Sequence, residues 1–94
     1  AYGRLLLGRA AVYRLDHQYD AAEADLSAAA HLLPDDPAIP FNRGILAYLR
    51  GERNAAIALC ELGLNMATVT MRDHLLADLH ADDRLSDLLA AIAP

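Results

Sequence analysis

Ala22, Leu26, Ala29, Ala30 and Leu33 are spaced i, i+4, i+7, i+8, i+11. That is one face of an α-helix. Thirty-four residues further on, Ala56, Cys60, Gly63, Leu64 and Ala67 repeat the set. An internal period of this length marks a repeat architecture, in which each unit buries its apolar face on a neighbour. The same offset gives five identities: Arg9 with Arg43, Leu15 with Leu49, Ala21 with Ala55, Ala22 with Ala56, Ala24 with Ala58. These identities fall in step with the helical face and with the helix breaks, which argues against coincidence in an Ala-rich chain.

The material between the breaks is helical. Ala and Leu supply most of the 55% apolar content and only five residues are aromatic. Ala and Leu lead the helix propensities, and the strand formers never gather in an alternating run. The fold class is therefore all-α, in one domain over residues 1–94. A first helix is predicted from about Arg4 to Leu15, with Gly8 inside it at a cost of roughly 1 kcal/mol. A glycine there signals the close approach of another backbone. Asp16-His17-Gln18 is a polar break, and a second helix runs from about Tyr19 to Leu33. In Pro34-Asp35-Asp36-Pro37, Pro34 stops the helix, Asp36 suits an N-cap and Pro37 a first helical position. A third helix starts between Pro37 and Pro40 and ends near Arg50 at Gly51. The fourth spans about Glu52 to Met66. Thr70-Met71-Arg72-Asp73 reads as a capping box for a fifth helix, Met71 to His80. Asp82-Asp83 opens a sixth, with Leu85, Leu88, Leu89 and Ile92 on one face.

These residues resemble the tetratricopeptide repeat (TPR) family over about Gly3 to Thr70. In the first repeat, residues 3–36, the signature positions are held by Ala10, Tyr13, Tyr19, Ala22, Leu26, Ala29 and Pro34. In the second, residues 37–70, they are held by Gly44, Gly51, Ala56 and Gly63. Asn42-Arg43-Gly44 looks like the Arg-Gly variant of the motif. The second repeat departs where Tyr13, Tyr19 and Pro34 give way to Ala47, Arg53 and Thr68. The resemblance implies a right-handed superhelix of antiparallel helix pairs, about six helices, with residues 71–94 as a C-terminal capping pair. It also implies a protein-binding role, with partners on the concave side lined by the first helix of each pair. Carried over position by position, that lining is Arg4, Leu7, Gly8, Ala11, Arg14 and Leu15, then Ala38, Phe41, Asn42, Ile45, Tyr48 and Leu49. Such an apolar groove suits a peptide or an amphipathic helix, and a second copy of the chain is the competing occupant. Members that clamp a chaperone's terminal carboxylate use Lys and Asn in the first repeat. Leu7 and Ala11 stand there instead, and only Asn42 matches, so chaperone-tail binding is not expected.

Several function classes drop out. A net charge of −5 and eight scattered arginines without any lysine oppose nucleic-acid binding. That composition points to a GC-rich, bacterial-type genome. The apolar runs are too short to insert in a bilayer. One cysteine excludes an internal disulfide and is compatible with a cytoplasmic setting. The first residue is not Met and helical pattern begins at once, so a longer parent protein is expected. Cys60 sits mid-helix on the buried face, which reads as core, not nucleophile. His17, His31, His74 and His80 lack metal spacing; His74 with Asp78 offers two ligands at most. Neither a metal, a cofactor nor an enzyme activity is expected. One electrostatic contact is: Arg9 and Arg43 stand on the inner side of the first helix of each repeat, where an unpaired charge is costly, and Asp25, on the inward flank of the second helix between them, should pair with one of them as a brace between helices.

Overall fold

The computed structural model describes residues 2–92. Six α-helices, α1 Tyr2–Leu15, α2 Tyr19–Leu32, α3 Ala38–Leu49, α4 Arg53–Met66, α5 Val69–His80 and α6 Ser86–Ile92, follow one another, with a 3-10 turn at Asp83–Leu85 leading into α6. There is no strand among the described residues. The chain is all-α, as its composition and periodicity require.

Two hairpins, α1 with α2 and α3 with α4, form the most extensive helix pairs, and α3 also packs on α2 and α1. Their crossings are made of small residues. Ala22 and Ala56, partners in the 34-residue register, are both fully buried. A Cβ on Gly44 would lie 2.9 Å from the Ala56 carbonyl oxygen and from Cys60 N, and one on Gly63 would lie 2.8 Å from the Pro37 carbonyl oxygen. The α3 and α4 backbones thus approach more closely than any side chain there permits. Gly8 is different. A Cβ built on it meets nothing within 4 Å, so the close approach expected there is not made within this chain.

The two hairpins also turn alike. At the end of α1, Gln18 N donates to the Tyr13 carbonyl and His17 N to the Arg14 carbonyl. At the end of α3, Glu52 N donates to the Ala47 carbonyl and Gly51 N to the Tyr48 carbonyl. Both are Schellman ends, which require a left-handed residue after the helix. Gly51 supplies φ 86° and His17 supplies φ 60°. His17 and Gly51 are 34 residues apart, so the repeat extends to individual hydrogen bonds.

The other helix ends follow local chemistry. Asp36 Oδ1 accepts from Ala38 N at 2.9 Å, with Pro37 as the first residue behind the cap. Pro40 lacks an N–H, and the Asp36 carbonyl it would have used accepts from Ile39 instead. The cap of α5 is Thr68, whose side chain accepts from Met71 N at 3.2 Å. This corrects the expectation of Thr70, which lies inside the helix; the Thr68 cap starts it two residues earlier. Asp82 caps the 3-10 turn through Arg84 N at 3.0 Å.

The main core gathers Phe41 and Ile45 of α3, Ala56, Cys60 and Leu64 of α4, and Leu75, Leu79, Leu85 and Leu88 of the C-terminal segment. Smaller clusters join α1, α2 and α3 through Leu6, Ala10, Leu26, Ala29, Ile39 and Leu46. The left-handed turn yields the first prediction. A non-glycine residue in this region costs roughly 1–2 kcal/mol, partly offset by glycine's greater chain entropy. His17→Gly should therefore stabilise the fold by about 0.5–1 kcal/mol, and Gly51→His should destabilise it by a similar amount. Urea midpoints that move in the same direction for both would contradict the shared turn.

Candidate functional site

The side of the molecule bearing the first helix of each hairpin is only partly open. Phe41 and Ile45 have no accessible surface. They lie beneath Leu75, Leu79, Leu85 and Leu88. Their expected place in the lining of an open groove is therefore corrected: the C-terminal helices already occupy that part of it. The driving force is plain, since burying a Phe or Ile side chain contributes about 1.5–3 kcal/mol. Tyr48 and Leu49 are half-buried against the same cluster. Asn42 is half-buried, and its Nδ2 donates to the Ala38 carbonyl one turn back at 2.7 Å. On α1, Leu7 and Ala11 are half-buried and Arg4 is exposed, with Nη2 3.5 Å from Asp36 Oδ2.

Arg14 was expected on an open lining, but its residue surface is only 7% exposed. Its Nε and Nη1 are buried and have no hydrogen-bond partner among the described residues. Burial depresses its pKa, and the fields of Asp78 on α5 and of Asp82 oppose that shift. The last turn of α1 thus lies in the field of carboxylates from the C-terminal segment.

The electrostatic brace is present. Arg9 Nε and Nη2 donate to Asp25 Oδ2 and Oδ1, both at 2.7 Å. This is a bidentate fork, the strong geometry for an arginine–carboxylate pair. The buried member is the carboxylate: the Asp25 side chain is 7% exposed and that of Arg9 is 57%. The inward placement foreseen for Arg9 is thus reversed, and Asp25 is the charge that needs rescue. The Arg9 hydrogen bond holds the Asp25 carboxyl below its ordinary range against the opposing effect of burial. Arg9 also stands 5.6 Å above the Tyr13 ring. Arg43 turns elsewhere. Its Nη2 donates to Ser27 Oγ at 3.1 Å, and its Nε lies 3.3 Å from Glu23 Oε1, an ion pair too poorly aligned for a hydrogen bond. Arg50 Nη2 meets Asp20 Oδ1 at 2.7 Å. Arg43 and Arg50 thus fasten the second hairpin to α2.

A feature not foreseen from sequence is a cleft of about 410 Å³ lined by Glu61, Leu64, Asn65, Arg72, Leu76 and Ile92. Arg72 Nε donates to the Leu64 carbonyl at 2.9 Å, satisfying an acceptor at the end of α4. The signal was weak, because α5 carries almost no helical periodicity in its apolar residues. No group of three potential metal ligands occurs among the described residues. Burial pushes the Cys60 thiol up to about 12, so it stays protonated and unreactive at neutral pH. No helix among the described residues is long and apolar enough to cross a membrane. No family model, curated protein or solved structure matches the chain.

Two predictions follow from the charges. A carboxylate whose folded pKa is depressed stabilises above its unfolded pKa, and that stability is lost as pH falls toward the folded value. Asp25→Asn should lower the urea midpoint at neutral pH and shrink the loss of stability on acidification, measured as midpoint against pH. Arg14→Met, which replaces an unpartnered buried guanidinium by an apolar chain of similar length, should raise the midpoint by about 1–3 kcal/mol equivalent. A lowered midpoint would mean that the guanidinium is satisfied in solution.

Proposed function

We propose that this chain is a protein-interaction module built from TPR-like helix hairpins, and that it has no catalytic role. The observation that carries the reading is the repeated hairpin. The same Schellman turn at His17 and Gly51, and the same buried alanine at Ala22 and Ala56, recur at one 34-residue offset. Stacked hairpins of this kind present a row of first helices, here α1 and α3, to one side, and a helical partner lies naturally along such a row.

The reading assigns the partner to the part of that side which the C-terminal helices leave open. Arg4, Leu7 and Ala11 on α1, with Asn42 and Leu49 on α3, retain accessible surface there. The partner that fits is an amphipathic helix or peptide with a narrow apolar face and an acidic group that shares the exposed Arg4 with Asp36. Against catalysis stand the buried, protonated Cys60 thiol and carboxylates engaged in caps and pairs.

The test is selection from a displayed library of helical peptides, followed by titration of those enriched. Enriched peptides should carry one apolar face with an acidic residue, and Ala11→Glu with Asn42→Glu should weaken them at least tenfold without altering thermal melting. Val69→Glu, at an exposed site on α5 outside the proposed contact residues, should leave binding intact. Peptides that ignore the first pair of substitutions, or a library that yields none above background, would overturn the reading.

A further inference from the structure

The covered stretch of the row of first helices already holds a helix of this chain. Leu85 of the 3-10 turn and Leu88 of α6 have no accessible surface and pack in one cluster with Phe41 and Ile45 of α3. Leu89 and Ile92 are partly buried at its edge. Leu85, Leu88, Leu89 and Ile92 are spaced i, i+3, i+4, i+7, the pattern by which an amphipathic helix enters an apolar groove. Helix α6 thus occupies part of the partner side, and its leucines display the chemistry that this part accepts.

This segment is held more lightly than the hairpins hold each other. Ion pairs tie the first hairpin to the second: Arg4 with Asp36, Arg43 with Glu23 and Arg50 with Asp20. Among the described residues no ion pair joins residues 69–92 to either hairpin, and Arg84 pairs with Asp82 inside the segment. The polar ties that do cross are few. Arg72 Nε donates to the Leu64 carbonyl, and Arg84 stands near Tyr19. Asp78 and Asp82 attract Arg14 without bonding to its buried Nε and Nη1. Of the 12 residues of α5 only Leu75 and Leu79 are buried, and α5 packs chiefly on α6 and the 3-10 turn. The cleft of about 410 Å³ opens where Leu64 of α4, Leu76 of α5 and Ile92 of α6 face one another. Only Ala67 and Thr68 connect α4 to α5, both with extended backbone. Hinges consist of a few residues at such an element boundary. Sparse burial beside a hinge marks a unit that opens before the rest of a fold.

We propose that α5, the 3-10 turn and α6 form an autoinhibitory lid, which swings as one body about Ala67–Thr68 and yields its place on Phe41 and Ile45 to a partner helix bearing the leucine spacing of α6. The proposal rests on the reading that the row of first helices is the partner side. It extends that side from the open stretch at Arg4, Leu7 and Ala11 to the stretch now covered. A closed lid lowers the apparent affinity for the partner by the fraction of chains that are open. With no partner bound, it keeps Phe41 and Ile45 from forming an exposed apolar patch.

The experiment has two arms on the whole chain. The first is amide hydrogen exchange. Amides of α5 and α6 should exchange at one common rate, at least about tenfold faster than those at the α3–α4 crossing. Exchange no faster than at the crossing would overturn the lid, and so would a gradient that fades inward from Ile92, which is end fraying. The second arm titrates a fluorescent peptide with the sequence of residues 82–92 into the wild-type chain and into Leu85→Asp with Leu88→Asp. The variant, whose lid cannot reseat, should bind at least about tenfold more tightly than the wild type. A peptide carrying the same two substitutions should bind neither. A variant that keeps its helical circular dichroism and binds the peptide no better than the wild type overturns the proposal. If the variant loses its helical spectrum, the exchange arm decides. Library helices that bind through Ala11 and Asn42, with the same affinity for the wild type and the variant, keep the interaction reading and overturn the lid. A library without binders, beside a peptide bound by the variant, overturns the open stretch as the site and supports the lid.

Discussion

The close crossing of α3 over α4 sets the rest of this structure. Gly44 and Gly63 bring the two backbones to a distance at which a Cβ would collide with carbonyl oxygens, and Ala56 fills the space between with a single methyl group. A hairpin so tightly closed admits a large side chain at its seam only opposite a glycine, as Phe41 stands opposite Gly63. Its large residues must find further cover on a neighbouring element. Phe41 and Ile45 do so beneath the C-terminal helices, and Ile39 and Leu46 do so against the first hairpin. The tight seam is thus the reason the hairpins stack at all. A lone pair of short helices has too little apolar area to offset its ordering entropy.

Charge pairing supplies direction to that stacking. Apolar contacts between Ala- and Leu-rich helices are permissive of sliding, because many registers bury similar area. Arg43 on Glu23 and Ser27, and Arg50 on Asp20, fix how α3 sits along α2. Arg4 on Asp36 ties α1 to the cap of α3. Exposed pairs of this sort contribute little stability each. Their use is positional, and every one of them employs arginine, whose planar fork holds a carboxylate in one orientation. The Arg9–Asp25 fork differs, because Asp25 is buried and its carboxylate has no water to fall back on.

The parts of this fold legible in sequence were those decided within a few residues. Helix α2 begins at Tyr19 and α4 ends at Met66 as periodicity indicates, and the Asp36-Pro37 start of α3 follows from capping chemistry. The pairing of Arg9 with Asp25 was readable because 16 residues across a hairpin bring two helical faces together. What escaped was set by packing at longer range. Whether Phe41 faces water depends on where α5 and α6 settle, and α5 shows no clear apolar stripe from which to judge it. Nor does the sequence distinguish a glycine at a crossing, such as Gly44, from one in open space, such as Gly8. Both are single glycines inside helical pattern, and only the neighbouring backbone separates them.

An asymmetry results that neither hairpin has alone. The second hairpin is covered on both sides, by the first hairpin and by the C-terminal helices. The first hairpin is covered on one. A chain with 55% apolar residues and only 94 positions cannot place them all inside, and isolated exposed side chains are ordinary on any surface. The exposed Leu32 and Val69 stand on separate helices, and Leu62 and Met66 line a groove with Ala30, Pro34 and Ile39. Leu5 and Val12 share one stripe of α1 with Gly8, while their counterparts 34 residues on, Ile39 and Leu46, are buried against the first hairpin. The C-terminal helices have solved the same problem at the other end by folding back over Phe41 and Ile45.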